Sequence, residues 1–398
     1  MTAAITPSPK HRIESIDILR GAVMIIMAID HIRDFYHGSP NPTDLSVTTP
    51  ILFFTRWITH FCAPTFVFLS GVSAYLAGMR RTESQLALFL IKRGFWLLFI
   101  EVAIITLAIT LNPLYNVLIL QVIWAIGGSM VLLGLLILLK VPTKVIVGIG
   151  LIIFLGHNIF DIENVNFINN SIIGKMFISG AGFGAFVPFG PNRGMLVAYA
   201  LLPWAGVMFM GYGFGQLYRK TFAAARRRKI LLYTGLGAVV FFLVFRYFNI
   251  YGDPNPWAPQ KTISLSIISF FNTTKYPCSL LYLCMTLGPA LIVLSVAENI
   301  KSKATNFMIV FGNVPFFYYI CHWYLLRLST VIVFFASGYN SSQIINPKQP
   351  LLFQPDGFGT TLLGVYGIWI VVITILYFPC RWFSKYKKTH NQWWLSYL

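Results

Sequence analysis

The sequence predicts an all-α polytopic membrane protein of about ten transmembrane helices, with its N- and C-termini cytoplasmic. Three observations carry that expectation. Apolar residues make up 57% of the chain and charged ones only 11%, and the mean hydropathy is +0.70, too apolar for an ordinary soluble domain. Apolar runs long enough to cross a bilayer, about 20 residues each, recur along all 398 residues. Cations cluster in alternate short loops between those runs, where the positive-inside rule puts them.

The first span, 14–36, follows a short polar tail over 1–12 that ends in Lys10, His11 and Arg12. No small-residue cleavage pattern follows it, so it reads as a retained helix rather than a signal peptide. Spans near 50–78, 86–111, 116–139 and 144–160 come next, with Arg80, Arg81, Lys140 and Lys144 in the loops after the second and fourth. The sixth span, 196–218, is followed by the basic run Arg226, Arg227, Arg228, Lys229. Spans near 229–249, 277–297, 306–335 and 361–383 complete the set. Lys301 and Lys303 follow the eighth span, and Lys385, Lys387 and Lys388 open a cytoplasmic tail over 384–398. The loops after odd-numbered spans carry few cations. Nothing marks a tandem repeat or a separate soluble part, so residues 1–398 read as one membrane domain, multi-pass in the inner cell membrane.

The net charge of +18, from 30 Lys and Arg against 12 Asp and Glu, would suggest nucleic-acid binding in a soluble chain. Here the loop clustering accounts for it, and no nucleic-acid partner is expected; the partner is the lipid bilayer. The five cysteines form no CxxC pair, and no histidine or carboxylate spacing suits a metal, so neither a disulfide framework nor a metal site is expected. Three outer loops, 37–49, 161–195 and 250–276, exceed a simple turn. The second holds GAGFGAFVPFGPNRG, which lacks the preceding strand and the GK[ST] of a phosphate loop. It reads as a flexible lid or a re-entrant segment.

The first span carries the chemistry. Asp17, Arg20, Asp30, His31, Arg33 and Asp34 interrupt an otherwise apolar run, and an ionisable group near mid-bilayer costs roughly 2.5–3.5 kcal/mol or more. At about 100° per residue, Asp17, Arg20, Met24, Met27, His31 and Asp34 share one stripe, with Arg20 and His31 about 16 Å apart along the axis. His31, His60 and His322 each lie within an apolar run, and imidazole suits acid–base work near neutrality. Asp30 beside His31, or Asp34 one turn on, is placed to orient it. Arg56 precedes His60 by four residues on the same face. Arg56, Glu101, Gln121, Arg246 and Arg327 read as interhelical ion-pair partners. Lys275, just before the eighth span, either contacts an anionic substrate or marks the interface.

Several segments resemble a bacterial membrane family grouped with the catalytic domain of heparan-alpha-glucosaminide N-acetyltransferase. They are IDILRGAVMIIMAIDHIRDF, HFCAPTFVFLSGVSAYL, LLPWAGVMFMGYGFG, TKYPCSLLYLCMTLGP and the closing CRWFSKYKKTHNQWWLSYL. Arg20 followed by His31 is also similar to the first-helix motif of bacterial integral-membrane polysaccharide O-acyltransferases, and GNVPFFYYICHWYLL, with His322, to a late-helix histidine segment of these groups. The resemblance implies an acetyltransferase that takes acetyl from cytoplasmic acetyl-CoA and delivers it to an amine or hydroxyl of a sugar or glycan acceptor on the outer side. His31, Asp30, Asp34, His60 and His322 are then the expected catalytic residues, and Arg20, Asp17 and Lys275 the expected donor contacts. Asp30 stands where the heparan-acting enzyme has an asparagine, and His31 or His37 takes the place of its histidine, so the heparan substrate is not carried over. A homodimer is compatible with such a chain. The alternative reading of the same ionisable groups is a proton-coupled exporter of a small or glycan-type solute.

Overall fold

The computed structural model describes residues 13–37, 41–161, 171–178, 185–346, 351–390 and 392–396. Helices α1 (Glu14–Tyr36), α2 (Pro50–Thr59), α3 (Cys62–Gly78) and α4 (Glu83–Ile100) come first. A π-helical turn, Glu101–Ile105, leads from α4 into α5 (Thr106–Thr110), and β1 (Val117–Leu120) precedes α6 (Val122–Leu138) and α7 (Thr143–Gly156). A short helix α8 (Ile172–Phe177) and strands β2 (Ala185–Gly190) and β3 (Arg193–Val197) lie before α9 (Leu201–Phe214) and α10 (Ala224–Phe248). The rest is α11 (Ile263–Phe271), α12 (Leu280–Ala297), α13 (Lys303–Asn313), α14 (Pro315–Ala336) and α15 (Leu362–Thr389).

Among the described residues, five helical stretches are long and apolar enough to cross a membrane: Pro50–Gly78, α10, α12, α14 and α15. α1 matches them in length but carries six charged residues. α10 and α15 leave most of their apolar surface outside the packed interior, with Val240, Phe248, Ile370 and Phe378 all more than half exposed. Such faces are stable when lipid rather than water is their solvent. The chain is an integral membrane protein. α12, by contrast, is largely enclosed.

α1 sits at the centre, packed against α2, α3, α12, α13, α14 and α15. Its approach to α13 is as close as two backbones allow. A Cβ on Gly21 would lie 1.9 Å from the Met308 carbonyl oxygen, and one on Gly312 would lie 1.9 Å from that of Asp17. α3 and α9 cross in the same way through Gly71 and Gly211. Without a water-driven hydrophobic effect between them, membrane helices gain their packing energy from such small-residue crossings.

The structure differs from the predicted spans where polar residues face inward. The second span breaks at His60 and Phe61 because Pro64 lacks an N–H and cannot bond the His60 carbonyl four residues back. The Tyr282 hydroxyl donates to that carbonyl instead, at 2.9 Å. The ninth span divides at Val314, with Pro315 opening α14. The tenth continues past its expected end to Thr389, so part of the predicted 384–398 tail is helix; Lys387 and Lys388 in its last turn complement the negative end of the helix dipole.

The all-α expectation is corrected by a three-stranded sheet of order β1-β3-β2, with β1 parallel and β2 antiparallel to β3. Val117 pairs with Gly194 and Leu120 with Val197. The expected lid or re-entrant segment thus contributes a hairpin, although residues 162–170 and 179–184 of that loop lie outside the described residues, as does the 1–12 tail.

Candidate active site

Two histidines 291 residues apart meet where α1 crosses α14. His31 Nδ1 and His322 Nε2 are 2.7 Å apart, and His322 Nδ1 lies 3.2 Å from the Tyr318 carbonyl oxygen one turn earlier. The chain of partners assigns the protons. A carbonyl only accepts, so His322 Nδ1 carries the hydrogen and its Nε2 presents a lone pair. His31 Nδ1–H then donates to that lone pair, which leaves His31 Nε2 as a bare acceptor when both rings are neutral. Aromatic rings clamp the arrangement. Trp323 stacks on His31 with centroids 4.0 Å apart, Tyr318 stacks on His322 at 5.4 Å, and Tyr319 meets His322 edge-on at 5.3 Å. His322 is wholly buried while His31 is partly exposed, so only His31 is open to a ligand. A base whose second nitrogen is held by a fixed partner is the arrangement that acid–base catalysis needs.

The expected orienting carboxylates do something else. Asp30 lies 2.9 Å from Arg33 and also bonds Arg56 of α2, and Asp34 lies 2.6 Å from Arg33. Neither carboxylate hydrogen-bonds His31. Successive helical residues point about 100° apart, so Asp30 faces α2 while His31 faces α14. In a low-dielectric interior a guanidinium is also a far stronger partner for a carboxylate than a neutral imidazole.

His60, at the break between α2 and α3, is buried and set edge-on to Tyr282 at 5.4 Å. Arg56 shares a helical face with His60 and pairs across to Asp30 of α1, the interhelical ion pair expected of it. Lys275 is half-buried with its Nζ 5.1 Å from the Tyr276 ring centroid. The segment that carries it lies at the His31 end of α1, since Asn272 donates to the Thr43 carbonyl and Tyr282 to that of His60. Arg20 marks the other end, where it bonds Asp17 at 3.2 Å, the Gly312 carbonyl at 3.3 Å and Ser73 Oγ at 3.0 Å. These bonds tie α1 to α13 and α3.

The four remaining polar groups are not the ion-pair partners expected, with one exception. A Glu101 carboxylate oxygen accepts the Gln121 backbone N–H at the start of α6, where the helix dipole favours negative charge. Gln121 itself is the N-cap of that helix. Arg246 donates to the carbonyls of Ser269, Phe270, Asn272 and Asn255, and its Nη1 lies 3.7 Å from Asp253. Arg327 donates to the Leu352 carbonyl and lies over the Phe35 ring at 4.8 Å.

Trp323 and Tyr318 are the site residues that sequence reasoning missed, and Arg33, though named there, is given no role by it. The i, i+3 spacing of Asp30 and Arg33 is a readable ion-pair signal. An aromatic residue next to a histidine in an apolar span reads only as packing. Among the described residues no three His, Cys, Asp or Glu side chains come together as a metal site, and no disulfide joins any of the five cysteines.

Residues 12–247 match the family described as heparan-alpha-glucosaminide N-acetyltransferase, catalytic. The match takes in His31, His60, Asp30, Asp34, Arg20 and Arg56 and ends before Lys275 and His322. No curated protein matches the chain. With more than half of its length matched, and with the fold of an integral membrane protein, the chain belongs to the heparan-alpha-glucosaminide N-acetyltransferase catalytic family, which points to an acetyltransferase-type enzyme.

Proposed function

We propose that this protein moves acetyl from cytoplasmic acetyl-CoA to a hydroxyl or amine of a sugar-type acceptor on the outer side of the inner membrane, through about ten spans with both termini cytoplasmic. The observation that carries the reading is the His31–His322 contact of 2.7 Å, anchored on the Tyr318 carbonyl. His31 Nε2 takes the acceptor's proton as the acceptor oxygen or nitrogen attacks the thioester carbonyl. The developing charge on His31 is shared with His322 through the Nδ1–H···Nε2 bond, which costs no rearrangement. Collapse of the tetrahedral intermediate breaks the carbon–sulfur bond, and the leaving thiolate recovers a proton from His31. The acceptor gains acetyl and CoA leaves as the free thiol.

His60 and the Asp30, Asp34, Arg33 and Arg56 cluster complete the polar wall around this centre. The Asp17–Arg20 pair lies about 16 Å inward, at the end from which the donor arrives, and holds the helices that form its passage. The test uses sealed proteoliposomes given radiolabelled acetyl-CoA on the side of the basic loops and a glycan acceptor on the other. Label is expected on the acceptor. Solute that crosses unlabelled, driven by a proton gradient, would instead mark an exporter and overturn this reading.

A further inference from the structure

His157 stands at the C-terminal end of α7 with a carbonyl oxygen at each of its ring nitrogens. Its Nδ1 lies 2.9 Å from the Ile153 carbonyl and 3.1 Å from that of Phe154, and its Nε2 lies 2.8 Å from the Cys278 carbonyl. Carbonyl oxygens only accept, so both nitrogens must donate, and a ring with two N–H groups is the imidazolium cation. His31 and His322 satisfy one another as neutral rings, whereas no neutral tautomer of His157 satisfies both sides of the ring. The position suits a cation. The last turn of a helix is the negative end of its dipole, and a protonated histidine there both bonds the carbonyls and offsets that charge. The side chain is buried, so water does not stand in for either partner.

The bond to Cys278 crosses from α7 to the turn before α12, where Cys278 also pairs with Lys275. Asn158 makes a second bond across the same junction, accepting the Leu280 N–H at 2.8 Å. The Tyr251 hydroxyl, from the loop after α10, donates to the Leu155 carbonyl at 2.8 Å. Two residues beyond Leu280, Tyr282 donates to the His60 carbonyl at the break between α2 and α3. The ring of His157 therefore fixes the end of α7 to the stretch that shapes the His60 side of the candidate site. Other titratable groups surround the junction. Asp161 belongs to the same turn as His157, Tyr251 and Asp253 follow α10, and Lys275, Tyr276 and Tyr282 flank Cys278. Asp253 is taken up by Thr274, Ser279 and Arg246, and Lys275 lies over the Tyr276 ring. α9, packed along α7, carries no charged residue, and its one tyrosine, Tyr212, meets Tyr75.

We propose that His157 is a pH-sensitive latch between α7 and the start of α12. Protonated, it donates to both sides and holds the junction closed. When the pH rises and one proton leaves, a nitrogen lone pair faces a carbonyl lone pair across a distance of 2.8 or 2.9 Å, and the junction loosens. The latch is a property of the fold and does not depend on the transferase reading.

Two measurements on the full chain test it. Solid-state NMR of the bilayer-embedded parent, with nitrogen-labelled histidine and carbonyl-labelled cysteine, picks out His157 as the ring in contact with a cysteine carbonyl. That ring is expected to carry two N–H groups at about pH 6 and to become neutral by about pH 9. Thermal midpoints in detergent, compared with His157→Gln, give the energetic side, since glutamine still donates but does not change charge. The bonds need the proton, so their stabilisation is present at acidic pH and lost as the pH rises. The parent should melt about 2–5 °C above the variant at about pH 6, and the gap should close by about pH 9. A His157 ring with a single N–H at about pH 6, or a gap of the same size at both ends of the range, would overturn the proposal. The parent's NMR titration decides the matter even if the variant fails to fold.

Discussion

His31→Ala is expected to slow acetyl transfer by about 100- to 10,000-fold at saturating donor, the range over which a positioned acid–base group accelerates such steps. The loss should appear in kcat, because His31 acts on the proton that moves during reaction and not on the donor's binding groups. His322 acts through His31, so its removal has a different signature. His322→Phe keeps the aromatic stack with Tyr318 but supplies no lone pair to His31 Nδ1–H, which frees the His31 ring to rotate or change tautomer. Its expected cost is about 10- to 1,000-fold in kcat with little change in KM. His322→Gln, whose amide oxygen accepts, should recover part of that loss. If His31→Ala transfers acetyl as fast as the parent, the dyad is structural.

Asp30→Asn should do the most damage to stability. The side chain is buried between Arg33 and Arg56, and all three are largely shielded from solvent. Removing one member of a buried ion-paired set leaves the others uncompensated, at about 3–5 kcal/mol. Against the marginal stability of an ordinary domain, about 5–15 kcal/mol, that is a large fraction. Thermal unfolding in detergent should therefore begin many degrees lower than in the parent. Asp30→Asn combined with Arg56→Gln should recover much of the loss, because the second change removes the orphaned charge. A midpoint for the single variant within a degree or two of the parent would show that the cluster contributes little.

The contrast between these two variants follows from how α1 is read. Its membrane character and its polar stripe are plain in the sequence, since composition and the 3.6-residue period need no partner to interpret. The pairing of its residues is not. Asp30 and His31 are neighbours in sequence, which suggested that one orients the other, but on a helix adjacent side chains diverge and each meets a different helix. The true partner, His322, lies 291 residues away, and no local pattern encodes a contact at that distance. Arg20 illustrates the same limit: the stripe shows its position, but not that the folded chain brings Asp17, Ser73 and the Gly312 carbonyl to it.

Interruptions within the spans were partly legible. Pro64 and Pro315 are visible in the sequence, and each explains a break in what hydropathy alone joins into one helix. Strand β1 was not legible: Val117–Leu120 is a four-residue apolar run leading straight into α6, and so short a run has no period that separates strand from helix. Its identity depends on Arg193–Val197, which arrives from the far side of a long loop.

In the proposed mechanism His31 waits with a bare Nε2 because His322 and the Tyr318 carbonyl fix the tautomers of both rings. Solid-state nitrogen NMR of nitrogen-labelled histidine in the bilayer-embedded protein tests it directly, with His31→Gln and His322→Gln variants to assign the signals. Both rings are expected to be neutral and protonated at Nδ1, with the His31 proton bonded across to His322 Nε2. A neutral His31 protonated at Nε2, or two histidines with no bond between their rings, would contradict it.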